Sequence, residues 1–374
     1  MNSKNYQRLI CLLFCGFLAG MSLLYLCLPK AEFSQQEKRY LAKTPELTWE
    51  RLAGGDFSAD VDTYMADHIP GRDFFVGLNA YYELLTGRQG GKDILTAAGN
   101  RLVEAPVAAN DAAVKKNMEI INRFAESSPV PVDLMVVPSA GWAAEAEITG
   151  WHAPYQDETI IQTVYDMAGS FLSTVDMVSV FRGTGDPQSL YYKTDHHWNS
   201  LGAYTGYRGY MEYLGRSFRP EADFRVETIA DFRGSTYSRS ALWLTPGESL
   251  ALWHGSDSIT VTHEESETPH QGVFFRERLE ESDKYTVFLD GNHPMVRLHN
   301  PDAAGTGSIL VIRDSFSNCL GGFLAESYET VVLVDLRYYR QAVSELIAQE
   351  SFDRVLICYS IGNFLTDTNI VWLR

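Results

Sequence analysis

The feature that most constrains this chain is a set of short, predominantly apolar runs spaced by helical patterns. Val132 to Val137, Ser308 to Arg313, residues 329–335 and residues 353–359 are each too short for a core helix. Runs of that kind read as strands buried on both faces, which is how parallel sheets look in sequence. Residues 112–127, 157–172, 316–326 and 340–350 carry apolar side chains at helical spacing, and Val175 to Phe181 reads as a further strand. The alternation predicts an α/β fold, a parallel sheet joined by crossover helices. Such sheets place ligands just beyond the C-terminal ends of their strands.

Residues 216–299 break the alternation. They are rich in Ser, Thr, Gly and aromatic residues, and 258–262 and 285–289 read as strands, so a β-rich insertion is expected there. Before residue 111 the pattern is helical. Residues 46–72 and 73–86 have helical spacing, the second stopped by Gly87, and Leu95 to Val103 reads as a short strand or hairpin. At 374 residues the chain is long enough for one large domain or two. The expected division is a stub and anchor over 1–30, a helical segment over 31–110 packing on the core, and the α/β domain over 111–374.

Leu9 to Leu28 holds no charged residue and is long enough to cross a bilayer. Lys4 and Arg8 precede it and only Lys30 follows, so the N-terminus is expected in the cytoplasm and the rest outside the membrane. A cleaved signal peptide is the alternative; Cys27-Leu28-Pro29-Lys30-Ala31 is a poor cleavage site, which favours an uncleaved anchor. The net charge of −17 argues against a nucleic-acid partner. It also disfavours a strongly anionic polymer as substrate unless a local basic patch exists. Of five cysteines, only Cys319 and Cys358 lie outside the anchor. Two cysteines cannot make a disulfide scaffold, so buried free thiols are expected, with a single bridge as the alternative.

The chemistry concentrates in Tyr191-Tyr192-Lys193-Thr194-Asp195-His196-His197-Trp198-Asn199-Ser200, just before a helix start. A carboxylate two residues from an imidazole can fix its tautomer and steady the imidazolium. Asp314-Ser315 follows the most apolar strand of the C-terminal half, at a strand-to-helix turn. A serine hydroxyl there, activated by histidine, makes an acyl-transfer nucleophile; the competing reading is an N-cap serine. Gly362 and Asn363, past another strand end, are candidates for an oxyanion site. Arg337, Tyr338 and Tyr339 are candidates for substrate contact. Asp195, His196 and His197 could instead ligate zinc, but adjacent histidines seldom meet on one ion, so no metal or cofactor is expected. Asp67-His68 beside Arg72-Asp73 reads as a structural acid–arginine network.

The Asp195-His196-His197-Trp198 tetrad resembles the signature of the bacterial DHHW family. Further segments share that likeness: Phe33 to Ala42 with Pro45, Tyr64 to Asp73, Phe288-Leu289-Asp290-Gly291-Asn292-His293-Pro294, and Arg313-Asp314-Ser315-Phe316. Together they span most of residues 33–364. The resemblance implies an SGNH-hydrolase-like, flavodoxin-like three-layer fold. It also implies kinship with proteins that acetylate alginate and other exopolysaccharides outside the membrane, in which an Asp-x-His motif precedes the serine. The implied roles are Ser315 nucleophile, His197 general base and Asp195 orienting acid. Gly362-Asn363 resembles the family's glycine-asparagine block, though Phe364 replaces the usual following Asp and Arg313 stands where Gly is common. The expected function is O-acetylation of a cell-surface or exported polysaccharide, with carbohydrate esterase or non-catalytic glycan binding as alternatives. Such proteins work with a multi-spanning acyltransferase of the MBOAT type, the expected membrane partner.

Overall fold

The computed structural model describes residues 3–34, 39–89, 91–264, 266 and 268–374. They fall into two units, one of Met1–Thr86 with Ala241–Trp243, the other of Gly87–Ser240 with Leu244–Arg374. Gln35 to Lys38, in the middle of the first family-like segment, lie outside the described residues.

The first unit is helical. Its Ser3–Cys27 helix has mean hydropathy 2.4 over its spanning window, none of it buried, and is long and apolar enough to cross a membrane. The predicted helix over 46–72 is two helices, Trp49–Gly54 and Asp56–Asp67. Gly55 divides them with φ of 86°, a left-handed conformation that glycine adopts without a Cβ clash. The next helix, Arg72–Leu85, carries Gly77 against Trp243; a Cβ there would lie 1.8 Å from the indole ring. The acid–arginine network is present: Asp67 accepts from Arg39 at 2.6 and 3.0 Å and from the Ala42 N–H at 2.9 Å, with Arg72 at 3.7 Å.

The second unit is built on an eight-stranded sheet. Its strands in chain order are β1 (Val132–Val137), β2 (Leu172–Val175), β3 (Thr260–His263), β4 (His270–Gln271), β5 (Met295–His299), β6 (Ser308–Arg313), β7 (Thr330–Val334) and β8 (Arg354–Ser360). The spatial order is β4-β3-β5-β7-β6-β8-β1-β2. β7, β6, β8, β1 and β2 are parallel, and β5, β3 and β4 extend the β7 edge antiparallel. The insertion therefore supplies part of the sheet.

Counted from β6, the five parallel strands run in the flavodoxin-like order 2-1-3-4-5, entered by the chain at the fourth strand. Successive residues serve opposite faces, so Ile309 and Val311 join one core and Leu310 and Ile312 the other. Helix Ser200–Tyr213 and helix Ser317–Leu324 cover the first face. Asp111–Ser127, Asp157–Asp166 and Val343–Gln349 cover the second. The α/β fold with a β-rich insertion is thus present as three layers.

Two strand expectations are corrected. Residues 175–181 are mostly the helix Met177–Arg182, because Asp176 caps it, accepting from the Ser179 N–H at 3.0 Å. Residues 285–289 are a 3-10 turn, Lys284–Val287, followed by left-handed backbone at Leu289, Asp290 and Gly291, which no strand allows. Cys319 and Cys358 are buried free thiols, each pushed up to about 12 by burial.

Candidate active site

β6 delivers Ser315 to the sheet's topological switch point, where its neighbours β7 and β8 part to either side. The strand ends at Arg313, and Asp314 then ties the turn. Its Oδ1 accepts from the Phe316 N–H at 3.0 Å. Its Oδ2 accepts from the Ser360 N–H, the Ser360 hydroxyl and the Asn363 amide at 2.8, 2.7 and 2.8 Å. One buried carboxylate thus pins the ends of β6 and β8 together, and Ser315 sits between with 8% of its surface exposed.

Asp195, His197 and Ser315, two segments apart in sequence, meet here. His197 Nδ1–H donates to Asp195 Oδ1 at 2.6 Å, which leaves Nε2 as the acceptor for the Ser315 hydroxyl at 2.7 Å. Both distances are hydrogen bonds in the range a working relay needs. Burial alone would raise the Asp195 carboxyl. The His197 ring, His196 and the Ser235 N–H at 2.7 Å outweigh it and hold the carboxyl well below the usual range. The acid therefore stays ionised and orients the ring.

Each residue of the tetrad has a distinct contact. His196 lies against the His197 ring at 3.8 Å between centroids and bonds the Ser235 hydroxyl at 2.5 Å; burial, with His197 beside it, pushes its pKa down. Trp198 is fully buried and donates its indole N–H to the Phe316 carbonyl at 2.9 Å, tying the histidine loop to the nucleophile turn. Asn199 caps the following helix, accepting from the Gly202 N–H at 3.0 Å.

Several positioning residues carried no signal in the sequence. Tyr285 stacks on His197 at 3.9 Å and 6°, and its hydroxyl donates to the Ser315 carbonyl at 3.4 Å. Gly234 admits Asp195: a Cβ there would come within 2.2 Å of that side chain. Glu248 accepts from the Lys193 and Thr194 N–H groups and the Thr194 hydroxyl at 2.6–2.8 Å. Arg313, completely buried, bonds Asn318 at 2.5 Å and Asn292 at 3.2 Å. The family-like 288–294 and 313–316 segments were the sequence cues to that last network.

The remaining candidates separate. Gly362 and Asn363 stand beside the turn, but the Asn363 amide is already given to Asp314. Arg337 is held by Asp335 at 2.6 and 2.9 Å, and Tyr338 is half exposed; neither lines the cleft beside Ser315. The Tyr339 ring is buried in the core. Possible ligand atoms of Asp195, His196 and His197 lie within 4.8 Å of one another, as do those of His263, Asp290 and His293. In the first cluster both His197 nitrogens are hydrogen-bonded, to Asp195 and to Ser315. The cleft itself, about 720 Å³, is lined by His196 and Phe316, the chain neighbours of His197 and Ser315, and by Ser360, Gly362 and Asn363.

A family model described as DHHW protein matches residues 177–334, which include the tetrad, the 288–294 segment and Ser315. The resemblance read from the sequence is confirmed over that span. The Phe33 to Ala42 and Tyr64 to Asp73 segments fall before it. Among solved structures, a DHHW family protein from Eubacterium siraeum is 18% identical with a TM-score of 0.63, covering 76% of this chain and 95% of that one. PatB1 of Bacillus cereus is 22% identical with a TM-score of 0.60, covering 74% and 98%. The same protein solved with a sulfonyl adduct is 21% identical with a TM-score of 0.61, covering 75% and 98%. These likenesses establish the shared fold. No curated protein matches the sequence.

Proposed function

We propose that this chain is a membrane-anchored, extracytoplasmic enzyme that transfers acetyl groups to a cell-surface or exported polysaccharide through an acyl-Ser315 intermediate. The observation that carries this reading is the unbroken hydrogen-bonded line Asp195–His197–Ser315. His197 Nε2 takes the Ser315 proton as Oγ attacks the acetyl carbonyl, and the Asp195 carboxylate steadies the imidazolium. The tetrahedral oxyanion is met by the Ser315 and Gly362 N–H groups, which have no acceptor among the described residues. Collapse expels the donor alcohol with the proton from His197. A sugar hydroxyl, deprotonated by the same ring, then takes the acetyl group and frees Ser315.

The anchor is the Ser3–Cys27 helix, with Lys4 and Arg8 on its cytoplasmic side. One such helix among the described residues cannot carry an acyl group across a bilayer. A multi-spanning acyltransferase of the MBOAT type is therefore the proposed donor partner.

The test is a chromogenic acetyl ester with the full-length chain in detergent. Wild type is expected to turn over and to show an acetylated Ser315 peptide by mass spectrometry. A sulfonyl fluoride should label that serine. Ser315→Ala, His197→Ala and Asp195→Asn should each lower kcat by at least about 10³-fold. Wild-type rates in any of the three would refute the assignment. Acetyl transfer to water alone, with every sugar acceptor refused, would make the protein an esterase.

A further inference from the structure

The cleft beside Ser315 carries a charge pattern that selects its acceptor. Among the described side chains lining it, the carboxylates are Asp93, Glu104 and Asp157, and the single guanidinium is Arg239. Arg239 is not available to a ligand carboxylate, because it is paired with Glu104 across the cleft wall. Asp157 is buried and accepts the Ser139 N–H at 2.7 Å. Asp93 is exposed. Beneath the cleft floor lie two more buried carboxylates, Asp195 and Asp314, each 1% exposed. The local basic patch that an anionic polymer would need is absent from the described lining. The rest of the wall mixes neutral polar groups, among them Ser139, Gln156, Ser360, Asn363 and Thr366, with apolar surface, of which Pro106 and Val107 are open enough for a sugar ring to lie against. A volume of about 720 Å³ lies in the range that takes a ligand of several rings.

We infer that the acceptor taken by this cleft is an uncharged or amine-bearing glycan, and that polymers of uronic acids are refused. This rests on the acyl-transfer reading for its reaction but not for its binding preference. A carboxylate on each sugar would meet like charges within a Debye length, about 8 Å at physiological salt, and the one cationic side chain among the described lining residues, Arg239, is already paired. An amine would instead face Asp93 and the Glu104–Arg239 pair.

The experiment is calorimetric titration of the full-length chain in detergent with N-acetylglucosamine, glucosamine and mannuronate oligomers of equal length, at low and high salt. Acetyl transfer from a chromogenic ester is measured on the same three. The mannuronate oligomer is expected to bind at least tenfold more weakly than the other two, and the gap is expected to narrow in high salt. Glu104→Gln, which removes one carboxylate from the lining, should raise mannuronate binding several-fold. Failure of the neutral and amine-bearing oligomers to bind more tightly than mannuronate overturns the inference. If the binding order holds but no acetyl moves, the acyl-transfer reading falls and the charge preference stands. If mannuronate binds best and is acetylated, the reverse is true.

Discussion

Trp198 is the clearest case of a single residue serving two segments. Its indole N–H satisfies the Phe316 carbonyl, so the loop that bears His197 and the turn that bears Ser315 share one bond. Trp198→Phe keeps most of the packing and orphans that buried carbonyl, at a cost of about 1–3 kcal/mol. The expected readouts are a lowered Tm and a kcat down 10- to 100-fold with KM little changed, since a small misplacement of base from nucleophile suffices. Tyr285 provides a second check. Tyr285→Phe preserves the ring stacked on His197 and should stay near wild type, whereas Tyr285→Leu should lose at least tenfold in kcat. The meeting of Asp195, His197 and Ser315 was legible in the sequence because their residue types sit at informative places, a capped loop and a strand tip. Tyr285, Gly234 and Glu248 were not. Each acts through a contact with a residue at least 39 positions away, and nothing local distinguishes it.

Elements were legible in proportion to how far burial alone decides them. β1 and β6 match their predicted bounds because a strand covered on both faces is apolar at most positions, the buried Asp133 and Arg313 being held by polar partners. Residues 175–181 misled because an apolar run of that length suits a buried helix as well, and the Asp176 cap decided the matter. The same burial sets the energetics. Leu310 in β6 is completely enclosed, so Leu310→Ala is expected to cost about 2–5 kcal/mol in denaturant titration. The loop of residues 193–198 answers to polar contacts instead. Glu248→Ala would strip acceptors from two backbone N–H groups and a hydroxyl, and should reduce kcat more than it reduces Tm. Partial rescue by Glu248→Gln is expected, because one amide oxygen can still accept.

At the scale of the whole molecule, the helical unit carries an acid-sensitive link of its own. The Arg39 hydrogen bonds lower the Asp67 carboxyl to about 2, against the opposing effect of burial, with the Ala42 N–H and Arg72 adding to the lowering. A carboxyl depressed by folding contributes stability above its unfolded value near 4, and that contribution is lost as pH falls from about 4 to 2. Asp67→Asn should remove on the order of 1 kcal/mol at neutral pH and flatten this acid limb, followed by fluorescence of Trp49 and Trp243. A slope unchanged by the substitution would place the acid sensitivity elsewhere. Residues 216–299 resemble decoration on a five-stranded parallel sheet, yet they supply three outer strands, the ring stacked on His197, the backbone N–H bonded to Asp195 and the carboxylate that holds the 193–194 backbone. A smaller scaffold cannot therefore be made by pruning that stretch. Its loss would open the flank of β7 to solvent and strip His197 and Asp195 of their supports in the same cut, so engineered variation in this scaffold belongs around the cleft rim.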